Sequence, residues 1–285
     1  MAKPLVIYHG DCADGFAAAW CFWRHFGDSV EYIKGVYQGR VPDVLDRDVY
    51  LVDFSYKYDT MKMILTFAKS VTMLDHHKTA LDDLWPLEAD GLIMSDCTNE
   101  KSGAMIAWNY MQQLTKKKET TPRMIAYIQD RDLWKFELPG SKEVSMFLFS
   151  HEYEFRQWDK LMKATKRDIE GFIKLGAILE KKHLKDIREL IRTAKRYINL
   201  GALEKVPTLN VPYTMASDAG SMMSEEEPFA ITYYDTRDSR CFSLRSNKLN
   251  PNARDVSEIA SQYGGGGHFY ASGFKVGRDH ELAKL

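Results

Sequence analysis

At 285 residues the chain exceeds the common single-domain length, so two domains are expected, each able to bury a core of its own. Its net charge of -1 excludes a general electrostatic attraction to nucleic acid, and no apolar stretch reaches the roughly 20 residues that span a bilayer. Cys12, Cys21, Cys97 and Cys241 have no CxxC spacing and the N-terminus is not signal-like, so reduced thiols and a cytoplasmic location are expected.

In chain order, Leu5-Val6-Ile7-Tyr8 reads as a buried parallel strand. It runs into His9-Gly10-Asp11-Cys12-Ala13-Asp14-Gly15, and helical spacing follows over Gly15 to Phe26. A second apolar run, Val49 to Val52, ends at Asp53, and a third, Val71 to Leu74, ends at Asp75-His76-His77. Tyr58 to Ala68 and Ser102 to Leu114 carry helical spacing, which predicts a parallel sheet covered by helices. Lys116 to Pro122 reads as a polar loop before another helix that ends near Gln129.

From Ile169 to Ile198 small and apolar residues recur at intervals of three and four, the pattern of long linker helices. Between Lys160 and Arg196 twelve Lys and Arg face five Asp and Glu, and a solvated outer face is preferred there over a basic wall for substrate. After Gly201 short strands are expected at Thr208 to Val211, Phe229 to Tyr234, Cys241 to Arg245 and near Phe274 to Val276, with a helix from Asp255 to Gln262. The organisation is therefore an α/β N-terminal domain over 1–165, a helical linker over 166–202 and a smaller α/β domain over 203–285.

In an open α/β sheet, ligands bind beyond the carboxyl ends of the strands. His9, Asp11, Asp14, Asp53, Asp75, His76 and His77 are then expected in one cleft. Mixed imidazole and carboxylate donors suit Mn²⁺, with Mg²⁺ second, better than a structural zinc that would recruit thiolates. Two such ions about 3.5–4 Å apart would sharpen a bound nucleophile and neutralise negative charge on a substrate. Asp53, at a central strand end, is the candidate bridge.

The C-terminal glycines Gly264 to Gly267 allow close backbone approach to an anion and can turn N–H groups inward. Arg245 at a strand end offers a planar fork suited to phosphate. Trp134 and Phe136 read as core.

His9-x-x-Cys12-x-Asp14-Gly15, Asp53, Asp75-His76-His77, Gln129-Asp130-Arg131-Asp132 and Gly264-Gly265-Gly266-Gly267-His268-Phe269-Tyr270-Ala271-Ser272-Gly273 occur in that order. With this set, spanning His9 to Phe274, the chain resembles the DHH/DHHA1 phosphoesterases. That family includes RecJ-type exonucleases, nanoRNases and phosphodiesterases of linear or cyclic dinucleotides. The resemblance implies a DHH catalytic domain, a DHHA1-like substrate-binding domain and a cleft between them. It further implies that His9 and a first-motif acid hold one ion, while Asp14, His76 and Asp130 hold the other. His77 would orient substrate or assist the leaving oxygen, and Asp75 would anchor the imidazoles. Gly265, Gly266, Gly267, His268 and Arg245 match the substrate-binding signature.

Many members carry Asp-x-Asp in the first motif, where this chain has Cys12 in place of the first acid, with Asp11 one residue earlier. Either can complete the first metal site. Asp130 is preferred over Asp132, which could instead pair with Arg131 or cap the next turn.

The expected activity is hydrolysis of short oligonucleotides or linear dinucleotides to 5'-mononucleotides by a monomer or homodimer. The alternatives are a cyclic dinucleotide phosphodiesterase, a nucleoside 3',5'-bisphosphate phosphatase, and a catalytically inactive nucleic-acid-binding relative. A processive exonuclease on long strands is disfavoured by the near-neutral charge.

Overall fold

A computed structural model describes residues 2–37 and 39–284. It divides into two units, Met1–Glu180 and Lys181–Leu285.

The first unit begins with β1 (Leu5–His9), α1 (Ala13–Phe26), β2 (Glu31–Gly35), β3 (Asp48–Val52), α2 (Tyr58–Phe67), β4 (Ser70–Leu74), α3 (Lys78–Leu84) and β5 (Leu92–Met94). All four strand pairings are parallel and the order is β2-β1-β3-β4-β5. Both faces are covered, which explains the continuous apolar runs. Leu5 and Ile7 pack on one side with Met61, Ile64 and Leu84, while Val6 and Tyr8 join α1 on the other. In α1 every residue from Asp14 to Phe22 is buried. The completely buried Phe22 alone contributes roughly 1.5–3 kcal/mol.

Helices α4 (Gly103–Thr115), α5 (Arg123–Asp132), α6 (Ser141–Phe149) and α7 (Phe155–Met162) follow, then the 29-residue α8 (Lys166–Ala194). Along α8, Lys182 pairs with Asp186 and Lys185 with Glu189, one turn apart, as on a solvated face. Among the described residues no helix is long and apolar enough to cross a membrane.

The second unit contains β6 (Arg196–Leu200), β7 (Leu203–Asn210), α9 (Tyr213–Met223), β8 (Ala230–Asp235), β9 (Ser239–Arg245), α10 (Val256–Ser261), β10 (Gly266–His268) and β11 (Ala271–Gly277). Among the described residues its six strands run in the order β10-β11-β9-β8-β7-β6, and only β7 and β8 pair in parallel. Ala216 and Ala219 of α9 pack with Ala230 on one side, and Val256 and Ile259 of α10 with Phe242 and Phe274 on the other. The fold class read from the sequence, a parallel-sheet α/β domain followed by a smaller α/β domain, is the one observed. Ile198, read as the continuation of the helical stripe, instead belongs to β6, because α8 stops at Ala194.

Candidate metal centre

The order β2-β1-β3-β4-β5 reverses direction between β1 and β3, and the crevice beyond that reversal is where open parallel sheets bind ligands. His9 ends β1, Asp53 follows β3, and Asp75-His76-His77 follows β4, so three adjacent strands deliver their polar ends to one place. Candidate ligand atoms of Asp14, Asp53 and His76 lie within 4.8 Å of one another, and those of His9, Asp53 and His77 do the same. Asp53 is common to both groups. Its Oδ1 lies 3.1 Å from His76 Nε2 and its Oδ2 3.4 Å from His9 Nδ1.

The inner group is buried, with Asp14, Asp53 and His76 each 1 % exposed. The side chains of His9 and His77 keep 27 % and 17 % accessibility, so the outer group meets solvent. Asp75 Oδ1 lies 2.7 Å from His77 Nδ1 and accepts from the His76 backbone N–H at 2.8 Å, which fixes the imidazole in place. Asp53 adopts φ 52°, a left-handed conformation uncommon for a residue with a side chain. Helix α4 starts directly against it. A Cβ on Gly103 would stand 2.4 Å from Asp53 Cβ, so only glycine lets the helix approach, and Ala104 N–H then donates to Asp14 Oδ1 at 3.1 Å.

Burial pushes the Asp14 carboxyl well up, and the neighbouring Asp132 and Asp53 add repulsion. Burial acts in the same direction on Asp53, but hydrogen bonds with His76 and His9 override it and hold that carboxyl far below the usual range. For His76, burial favours the neutral ring, yet the charge of Asp132 and contact with Asp53 outweigh it and raise the imidazole to about 10. Asp14 Oδ2 is buried with no hydrogen-bond partner among the described residues, and Asp53 Oδ2 is buried with only the 3.4 Å contact to His9 Nδ1. Buried carboxylate oxygens left in that condition fit a divalent cation, as does the nitrogen and oxygen donor set.

Two predicted ligands stand elsewhere. The preference for Asp130 is corrected by the geometry, because its Oδ1 and Oδ2 accept from the backbone N–H groups of Glu137 (3.0 Å) and Leu138 (3.1 Å). Residues two apart on a helix point about 200° apart, so only one of the pair can face the cluster. It is Asp132, whose Oδ2 lies 3.5 Å from His76 Nε2. Asp11 also turns away: at φ 56° it pairs with Lys34 at 2.8 Å, and 64 % of its side chain is accessible. Cys12 takes the inward position, hydrogen-bonded to His9 and within the fields of Asp53 and Asp132. Its burial pushes the thiol up. All four cysteines are free thiols.

Sequence reasoning missed Tyr37, which follows β2 and packs against His9 and His77 with ring centroids 5.2 and 6.2 Å apart. Crowding by the surrounding protein, together with the charges of Asp75, Asp53, Cys12 and Asp132, raises its phenol well above the ordinary value even though 43 % of the residue is exposed. A lone loop tyrosine carries no periodic signal. Trp134 and Phe136, read as core, instead flank Arg131, with its guanidinium 4.2 Å from the Trp134 ring centroid.

In the second unit, Arg245 pairs with Ala271 across β9 and β11, and Ala271 with His268 across β11 and β10. Arg245 and His268 thus share one rung and one face of the sheet with a small residue between them. Arg245 donates to the hydroxyls of Ser217 (2.7 Å) and Ser243 (2.9 Å). The glycine run enters β10, and a Cβ on Gly265 would meet the Gly273 carbonyl oxygen at 2.1 Å, so the backbones approach closely there.

No protein-family model matches the chain. An uncharacterized protein of Acanthamoeba polyphaga mimivirus is 30 % identical over 297 residues, which cover 94 % of this chain and 66 % of the relative, just under two thirds of its length. Among solved structures, a pGpG-specific phosphodiesterase from Vibrio cholerae aligns over 99 % of this chain and 97 % of its own, at 16 % identity and a TM-score of 0.47. The DHH domain of a protein assigned to a family of ribosomal proteins aligns over 99 % of this chain and 85 % of its own, at 12 % identity and a TM-score of 0.54. That likeness and the sheet order agree: the chain has the fold of a DHH-domain protein.

Proposed function

We propose that this chain is a metal-dependent phosphodiesterase that hydrolyses short oligonucleotides or linear dinucleotides to 5'-mononucleotides. The observation that carries the reading is the sharing of Asp53 by two ligand groups, one buried and one open to solvent. Two Mn²⁺ ions, with Mg²⁺ second, would supply the sharpened nucleophile and neutralise the phosphate charge.

The inner ion would be held by Asp14, Asp53, His76 and Asp132, and the outer one by His9, Asp53 and Cys12. His77, oriented by Asp75, would meet the substrate phosphate or the leaving oxygen. In the second unit, Arg245 and His268 would grip a phosphate or end group, with the backbone N–H groups of the Gly265 to Gly267 run beside them. The first 165 residues would then be catalytic and residues 203–285 substrate-binding.

Hydrolysis of linear dinucleotides, five-mers, long single strands, cyclic dinucleotides and a nucleoside 3',5'-bisphosphate, each with Mn²⁺ and with EDTA, tests this. Metal-dependent release of mononucleotides from the short linear substrates is the expected outcome. Preference for a cyclic or bisphosphate substrate would redirect the assignment. No turnover on any of them would make the chain a binding protein.

A further inference from the structure

Tyr37 stands at the solvent-facing side of the metal-ligand cluster. Its ring lies against His9 and His77, the two histidines that keep solvent access, and 5.0 Å from the buried Phe54 ring, which backs it. Even so, 43 % of Tyr37 is exposed. Behind it stand the buried carboxylates of Asp53 and Asp75 and that of Asp132, whose charges all reach the phenol. A phenol is a hydrogen-bond donor that stays protonated at neutral pH. It therefore complements a phosphate oxygen without adding to the negative charge of the cluster, which a carboxylate in the same place would do.

We propose that the Tyr37 hydroxyl donates a hydrogen bond to a non-bridging oxygen of the substrate phosphate seated at the outer group of His9, Asp53 and His77. The assignment rests on the phosphodiesterase reading for the identity of the substrate, but the site it describes is one for a phosphate group. Tyr37 is then a substrate-binding residue supplied from outside the strand-end motifs, by the loop after β2.

The test compares the full-length protein with Tyr37→Phe, both loaded with Mn²⁺, for binding of inorganic phosphate by calorimetry, alongside Mn²⁺ affinity and Tm. Removing one hydrogen bond to a charged group should weaken phosphate binding roughly tenfold, with Mn²⁺ affinity and Tm unchanged. Phosphate affinities within about twofold of each other would overturn the proposal, as would absence of phosphate binding by the wild-type protein. A matching fall in Mn²⁺ affinity or Tm would reduce Tyr37 to packing and overturn it too. If the wild-type protein binds phosphate but hydrolyses no phosphodiester, the phosphodiesterase reading fails while the comparison of affinities still decides the role of Tyr37.

Discussion

Asp130 and Asp132 differ by two positions and serve opposite ends. Asp130 ties the end of α5 to the Glu137-Leu138 backbone, whereas Asp132 adds its charge to the His76 side of the cluster. Asp130→Asn should therefore cost about 1–3 kcal/mol of stability with Mn²⁺ affinity preserved. Asp132→Asn should weaken Mn²⁺ binding with little change in Tm, so calorimetry and thermal melts on the pair separate the two roles. Both acids were visible in the sequence, but which one faces inward depends on the phase of α5, and that is fixed by packing. The same holds for Asp11 and Cys12, since the left-handed turn at Asp11 decides which of them meets His9.

The raised imidazole of His76 has a consequence with a definite sign. In the metal-free protein, the stabilisation from protonated His76 is complete below about 6.5 and is lost as pH rises toward about 10. A metal ligand must be the neutral ring, so Mn²⁺ has to displace that proton. The rise in Tm produced by a fixed Mn²⁺ concentration should then grow across the same window. A shift that stayed flat or shrank with pH would mean that His76 is not a ligand.

At the scale of elements, the site depends on a helix brought unusually close to a strand end. Gly103→Ala would force α4 away from Asp53, at roughly 1–3 kcal/mol for overpacking, and would also move the Ala104 N–H away from Asp14. A lowered Tm together with weakened Mn²⁺ binding is the expected result, read from melts and calorimetry. Strands β1, β3 and β4 were legible because each is an unbroken apolar run ending at an acid or histidine, as a strand buried on both faces must be. Edge strand β2, Glu-Tyr-Ile-Lys-Gly, has no such run, because only its inner edge is paired and most of its residues stay partly accessible. Helix α9 escaped notice because its inward face is made of Ala216, Ala219 and Gly220, which give little hydrophobic contrast. The glycine run was read as a backbone that could approach an anion, and the register adds that Gly265 comes close to β11 at the entry to β10.

At the scale of the molecule, the parallel sheet gathers side chains from positions 9, 14, 53, 76, 77 and 132 that no local pattern would connect. Strand order does this, because β1, β3 and β4 are neighbours and all run the same way. Except for Asp132, which comes from α5, their convergence was expected from the strand ends together with the general placement of ligands in open α/β sheets. In the second unit, Arg245 and His268 were named from the sequence, but the rung that aligns them follows from the β9-β11-β10 register. Whether Asp53 joins two cation sites, as proposed, is decided by Mn²⁺ titration of the wild-type protein and Asp53→Ala by calorimetry. The wild-type chain is expected to bind two ions and the variant to lose affinity severely at both sites, with its circular dichroism unchanged. Two ions bound by Asp53→Ala with unchanged affinity would contradict it.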